Sequence, residues 1–180
     1  MSTDVTQVPL VAYLGSRSLV YYAKVLELRD AVEDWLSYIP QTFPHYTQHT
    51  IGHSEEILSQ CSKLLFRDDD PEQPVLRLSA AEAYVLAAAA YLHDVGMVVP
   101  DGEKAEILGS DDWRDWTAGE EGGAKRWQAV LQLRQGAAPA DPAVREFLAD
   151  VQTRYLIAEF IRRKHHQRAA RILTHTTKQP

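Results

Sequence analysis

The chain has 180 residues, 45% of them apolar and 24% charged, which suits one domain with a hydrophobic core. Its formal net charge of −6 disfavours duplex nucleic acid and anionic membranes as partners, because both bind basic surfaces. The single cysteine, Cys61, excludes an internal disulfide and a cysteine-based zinc site. We find no signal-peptide pattern and no apolar run near the ~20 residues of a membrane-spanning helix, so we expect a cytoplasmic protein.

Apolar residues at helical spacing predict an all-α fold without strands. Residues 1–15 are expected to be an irregular lead-in, and residues 16–38 to form an amphipathic helix or two helices in series. Two X-Pro pairs within residues 39–44 end this segment, because a residue before proline leaves the α region. A further helix is predicted at about 50–66, and the three acidic residues 68–70 after it, which Pro71 follows, are interpreted as a solvated turn rather than a metal-binding loop.

The clearest helix start in the sequence is Ser79, because Glu82 three residues later completes a capping box. The segment 80–95 is apolar nearly all round, which predicts a central helix that is buried on every side. Gly96 is expected to end this helix. The dipeptide His93-Asp94 therefore lies in the last turn of a buried helix.

The second half of the chain is predicted to be helical with irregular breaks. Residues 96–125 are expected to be less regular, and Asp141-Pro142 supply an N-cap and a first helical proline. We expect a tail at residues 174–180 and one domain over residues 1–180. The predicted helices of this half are 101–108, 124–135 and about 142–174.

Asp94 is the residue whose predicted position most needs a binding partner. Burying a carboxylate without a partner costs several kcal/mol, so an aspartate at the end of a buried helix needs a cation or a ring of hydrogen-bond donors. A metal ion shared with the adjacent imidazole of His93 would meet this need. The alternative is that Asp94 accepts hydrogen bonds from the backbone N–H groups of a nearby loop, with His93 exposed.

Other histidines are candidates because they are grouped. His49 precedes His53 by four residues, so both rings would share a face if the helix reached back that far. His49 could equally be a structural residue. Arg162 begins a basic run that contains His165, His166 and Arg168. This run is either a solvated helix face or a phosphate clamp beside a metal ion.

Two motifs, His53-Ser54 and then His93-Asp94 within residues 91–97, resemble the HD superfamily of metal-dependent phosphohydrolases. The stretch 46–54, Tyr-Thr-Gln-His-Thr-Ile-Gly-His-Ser, is similar to one HD branch whose domain is typically joined to a GHKL-type ATPase domain. Residues 162–168 resemble that branch's later Arg-x-x-His element. The resemblance covers roughly residues 43–172, most of the chain.

The resemblance implies an HD-type helical bundle that holds one or two divalent metal ions, with Mn, Fe, Mg and Zn all suited to mixed His/Asp ligation. It implies a phosphohydrolase that acts on a nucleotide or another phosphoester through a metal-activated water. It also implies fusion to, or association with, an ATPase domain. The implied metal ligands are His53, His93 and Asp94, with His49 as an outer candidate. The implied second-metal, acid/base or phosphate-binding residues are His165, His166 and Arg162.

The chain departs from the family pattern at two points. The family normally completes the metal site with a later aspartate, whereas neither Asp nor Glu follows His166. Met97 stands where many catalytic members have lysine, although the resembling branch often has methionine there. A catalytically incomplete HD module, binding a nucleotide or a partner protein in a regulatory role, is therefore an alternative to the enzyme. A purely structural helical domain is a third.

Overall fold

The computed structural model describes residues 4–43, 50–119 and 123–176. The architecture is an all-α bundle with one small hairpin, so the predicted fold class is confirmed. A 3-10 turn spans Val5–Gln7 and a second spans Val95–Met97. The helices are α1 Pro9–Arg17, α2 Leu19–Leu36, α3 Ile39–Thr42, α4 Ile51–Leu65, α5 Ala80–Leu92, α6 Asp101–Gly109, α7 Asp111–Ala118, α8 Gly123–Arg134 and α9 Pro142–Thr176.

No single helix in these ranges is long and apolar enough to cross a bilayer. The segments Ala80–Met97 and Gly102–Gly109 are bent relative to each other. Taken together, they are long and apolar enough by length and composition alone.

Helix α1 corrects the expectation that residues 1–15 are irregular. Pro9 is its first residue, where a missing N–H costs nothing, and Leu10 and Leu14 are fully buried. The helix packs against α2, α4 and α5. Ser18 then separates it from α2, because the Ser18 hydroxyl accepts a hydrogen bond from the Tyr21 N–H. The sequence prediction took Pro9 as a break, whereas the structure uses it to begin a helix.

A short antiparallel hairpin follows α4, although no strand was predicted. Strand β1 is Phe66–Arg67 and strand β2 is Asp70–Pro74. Phe66 is buried and pairs with Pro74, while the connecting turn is exposed and acidic as expected. Two such short strands cannot show the alternation by which a strand is recognised in a sequence.

Helix α5 is central to the first half of the bundle, but it is not buried on every side. Its capping box is confirmed: the Ser79 hydroxyl accepts from the Glu82 N–H, and the Glu82 carboxylate accepts from the Ser79 N–H. Alanines on one face are buried beneath α1, α2 and α4. Val85 on another face is 62% exposed and Leu86 is 38% exposed. The prediction from apolar composition that α5 is buried on every side is therefore wrong for this face.

The second half of the bundle is organised around Trp113. This residue lies on α7, a helix that was not predicted and that Ser110 caps through its hydroxyl. The Trp113 ring packs against the rings of Trp116, Trp127 and Phe160, at centroid distances of 5.3, 5.5 and 5.4 Å. These contacts join α7, α8 and α9 in one aromatic core.

The two halves meet at the 3-10 turn Val95–Met97, which follows His93-Asp94 directly. Helix α9 packs so closely against this turn that a Cβ at Gly96 would lie 1.9 Å from the His165 carbonyl oxygen. Arg168 of α9 donates hydrogen bonds to the carbonyl oxygens of Gly96 (2.8 Å) and Val98 (3.0 Å). It also pairs with the carboxylate of Glu103. The end of α9 thus fixes the segment after the His-Asp dipeptide.

Substitution of Arg168 by methionine is expected to lower the free energy of unfolding by about 2–4 kcal/mol, because two carbonyls and a carboxylate lose their donor. Lysine should restore only part of this, since it lacks the planar fork. Urea unfolding followed by circular dichroism measures the effect. Arg154→Met, at an exposed position on the same helix, is the control and should stay within about 0.5 kcal/mol of the parent. Equal losses in the two methionine variants would refute the role of Arg168 in fixing this segment.

Candidate metal centre

Three side chains, one from α4 and two from the residues directly after α5, converge at the carboxyl end of α5. His53 lies in the first turn of α4, His93 is the C-cap of α5, and Asp94 is the N-cap of the 3-10 turn. The Nε2 atom of His93 is 3.0 Å from Asp94 Oδ2, and the Nε2 atom of His53 is 3.8 Å from the same oxygen. One ligand atom from each residue lies within 4.8 Å of the others. Two imidazole nitrogens and a carboxylate oxygen are thus close enough to share one ion.

The backbone orients His93 toward this meeting point. Its Nδ1 atom is 2.8 Å from the carbonyl oxygen of Ala90, which can only accept a hydrogen bond. Nδ1 therefore carries the proton in the neutral ring, and the lone pair is on Nε2, the atom beside Asp94. Metal-binding histidines are commonly oriented by such a bond from their second ring nitrogen.

The burial of the three residues matches a metal centre that is open on one side. The side chain of Asp94 is 7% exposed, that of His93 30% and that of His53 40%. A carboxylate this deeply buried needs positive charge or donors around it. Two imidazoles and one carboxylate form a donor set that suits Zn²⁺, Mn²⁺ or Fe²⁺. The residues present therefore fit a divalent metal ion.

The hydrogen bond from His93 to Asp94 raises the pKa of His93 above its ordinary value of 6.5, although burial partly opposes the shift. In the metal-free protein, protonated His93 consequently stabilises the fold below the ordinary pKa. This contribution is lost as pH rises through the raised pKa. A metal ion needs the opposite protonation state, since only deprotonated imidazole can bind it.

The stabilisation given by Mn²⁺ should therefore grow with pH. We expect a small rise in Tm on Mn²⁺ addition near about pH 6 and a much larger rise near about pH 8. Thermal unfolding with and without the ion, over this pH range, measures it. A rise in Tm that is constant or that is larger at acidic pH would contradict ligation by His93.

The predicted second-metal or acid/base roles of His165 and His166, and the phosphate-binding role of Arg162, remain predictions. The backbone of His165 lies against Gly96, so α9 does reach the segment beside the metal centre. The Nδ1 atom of His165 is 2.7 Å from the Arg162 carbonyl oxygen, and the guanidinium of Arg162 is 3.4 Å from Glu159. The three-residue ligand group found among the described residues does not include them. The remaining ligand candidate, His49, lies outside the described residues.

The role suggested for Arg168 needs correction. Within the basic run it was read as part of a phosphate clamp or of a solvated face. Its side chain is only 14% exposed and binds the turn after the His-Asp dipeptide and Glu103. Arg168 therefore positions the segment next to the metal centre.

A largely buried ion pair on α4, the helix that carries His53, was not foreseen. Glu55 follows His53 by two residues, and its side chain is 10% exposed. The guanidinium of Arg29 on α2 binds it, with Nε and Nη2 at 2.8 and 2.7 Å from Glu55 Oε1. This pair ties the first turn of α4 to α2. The sequence contained one indication that Glu55 is buried: it lies three residues before Leu58, on the buried stripe of α4.

Comparison with known proteins identifies the family. No curated protein and no solved structure matches the chain. The HD-CE family model matches residues 43–178, which include all three residues of the metal centre and run from α4 to the end of α9. Helices α1 and α2 precede the matched range, although both pack against α5. Because the match covers well over half of its residues, the chain belongs to the HD-CE family.

Proposed function

We propose that this protein is a metal-dependent phosphohydrolase of HD type that acts on a nucleotide or another phosphoester. The observation that carries the proposal is the convergence of His53 Nε2, His93 Nε2 and Asp94 Oδ2 at the end of α5. Three protein ligands leave coordination positions for water and substrate. When bound there, a divalent ion supplies Lewis-acid activation of water and neutralises phosphate charge.

The other roles in this proposed reaction belong to individual residues of the chain. Asp94 supplies the buried negative charge that holds a cation, and the Ala90 carbonyl keeps His93 Nε2 directed toward it. His53, with 40% of its side chain exposed, leaves the centre accessible to a substrate from solvent. We assign phosphate binding to Arg162 and proton transfer or phosphate contact to His165 and His166. The support for these roles is that α9 packs directly against Gly96.

Hydrolysis is tested by incubating purified, Mn²⁺-loaded protein with nucleoside phosphates and phosphodiesters and measuring products. Asp94→Asn should lower turnover at least ~100-fold, because it removes the charged ligand while keeping the side-chain volume. The matched control Asp34→Asn, at an exposed position on α2, should leave turnover unchanged. Equal turnover in Asp94→Asn and the parent would assign the activity to another site and refute the proposal.

The second candidate function is a regulatory binding module with an incomplete metal site. Two observations favour it: the described ligand group has three members, and neither Asp nor Glu follows His166 in the sequence. Such a module would bind a nucleotide or a partner protein, including an ATPase domain. Nucleotide binding by the Mn²⁺-loaded protein, without product from any of the nucleotides or phosphodiesters after prolonged incubation, would support the module and refute the enzyme.

A further inference from the structure

A cavity of about 580 Å³ lies between the end of α2, the segment after the 3-10 turn, α6 and the last turns of α9. Small-molecule sites usually enclose roughly 300–1,000 Å³, so this cavity has the size of one. Its described walls include Trp35, Tyr38, Val98, Lys104, Arg171 and Ile172. The residues of the metal centre are not among the described residues that line it.

One side of the cavity is aromatic and apolar. Trp35 is 46% exposed and Tyr38 is 56% exposed, so both rings keep large surfaces available beside the cavity. Val98 and Ile172 add aliphatic surface. Aromatic faces of this kind bind planar rings by stacking and by burial of apolar area. The wall therefore favours a flat, unsaturated ligand.

The other side of the cavity is positively charged. Among the described lining residues, Lys104, Arg168 and Arg171 are cationic and Glu103 is anionic. Arg168 and Glu103 neutralise each other as an ion pair. Arg171 also faces Asp112, whose carboxylate is 2.6 Å from Lys164 Nζ. Cationic side chains therefore outnumber the anionic one in the described lining, in a protein of net charge −6.

The two sides come from different parts of the chain. Trp35 and Tyr38 precede the matched family range, whereas Lys104 and Arg171 lie within it. The end of α2 and the N-cap residue of α3 therefore supply the aromatic wall. The cavity is consequently a feature of this chain's own amino-terminal segment packed on the family domain.

We propose that this cavity binds an amphipathic anion, with a planar aromatic ring against Trp35 and Tyr38 and its acidic group at Lys104 and Arg171. The proposal goes beyond hydrolysis at the metal centre, because it needs neither a metal ion nor the three metal ligands. An aromatic ring without a charge would contact only the aromatic wall, and an anion without a ring would contact only the cationic wall.

Naphthalenesulfonate is the probe, and EDTA is present to remove metal ions. The indole N–H signal of Trp35, assigned with Trp35→Phe, should shift in a saturable manner in proton–nitrogen correlation spectra. The indole signals of Trp113, Trp116 and Trp127 should stay in place, since these residues form the separate aromatic core. Naphthol and inorganic sulfate should each bind at least ~10-fold more weakly. Equal affinity for naphthol, or saturation that leaves the Trp35 signal unmoved, would overturn the proposal.

Calorimetry on variants tests the two walls separately. Trp35→Ala and Arg171→Gln should each weaken the probe's affinity by roughly 10-fold, with Lys104→Gln as a second charge variant if Arg171→Gln does not fold. The matched controls Phe147→Ala and Arg154→Gln, at exposed positions on α9, should keep the parent affinity. Asp94→Asn should also keep it, which separates this site from the metal centre. Unchanged affinity in all folded cavity variants, or an equal loss in the controls or in Asp94→Asn, would refute the proposal.

Discussion

Replacement of Gly96 by alanine is expected to lower the free energy of unfolding by more than about 3 kcal/mol, a large part of a small domain's stability. The new Cβ would lie 1.9 Å from the His165 carbonyl oxygen and 2.8 Å from the Ala169 backbone nitrogen. Both are backbone atoms within α9, so they cannot rotate away as a flexible side chain could. Helix α9 would have to move off the turn that joins the two halves of the bundle. Urea unfolding followed by circular dichroism measures the loss.

The matched control for this prediction is Gly102→Ala in α6. A Cβ at Gly102 meets no heavy atom of the described structure within 4 Å. Alanine is favoured over glycine in a helix, so this variant should be neutral or more stable by up to about 1 kcal/mol. If the two alanine variants unfold at the same urea concentration, the close approach of α9 to Gly96 is refuted.

Substitution of Asp94 by asparagine is expected to abolish the stabilisation that Mn²⁺ gives to the protein. An ion at about 100 times its Kd stabilises the fold by about 2.7 kcal/mol, and this gain requires binding. Asparagine nearly preserves the volume of the side chain but removes the negative charge between the two imidazoles. The metal-free variant should still fold, since the substitution removes a buried charge and creates none.

Thermal unfolding with and without Mn²⁺ measures this loss, and metal analysis after dialysis gives the stoichiometry. Asp34→Asn carries the same chemical change at an exposed position and should respond to Mn²⁺ as the parent does. An equal rise in Tm in Asp94→Asn and the parent would place the bound ion elsewhere in the protein.

The sequence was sufficient for the local features of the fold. Periodicity predicted α4 and the long helix α9, and the spacing of Ser79 and Glu82 predicted the capping box. These features depend on neighbours within a few residues, which a single sequence displays directly. Helix α1 was missed because Pro9 is compatible both with a break and with a helix start.

Features that depend on distant contacts could not be predicted in the same way. Gly96 was expected to end a helix, whereas the structure requires glycine there because α9 approaches within contact distance. Arg168 belonged to a basic run, and only the fold shows its bonds to carbonyls some 70 residues earlier in the chain. The exposure of the α5 face that carries Val85 likewise depends on which helices pack against α5.

The candidate metal centre was predicted in part. The resemblance named His53, His93 and Asp94, and the structure brings these three side chains together. Periodicity alone could not show that the first turn of α4 meets the last turn of α5, because that contact depends on helix packing. The ion pair of Glu55 with Arg29, which fixes α4 beside α2, was not visible for the same reason.

The central claim is that His53, His93 and Asp94 hold a divalent metal ion. Crystals grown with Mn²⁺, with diffraction measured on both sides of its absorption edge, test this most directly. We predict an anomalous difference peak at bonding distance, roughly 2.0–2.3 Å, from His53 Nε2, His93 Nε2 and Asp94 Oδ2. The account would be contradicted if the three side chains were well ordered and the anomalous map showed no peak between them.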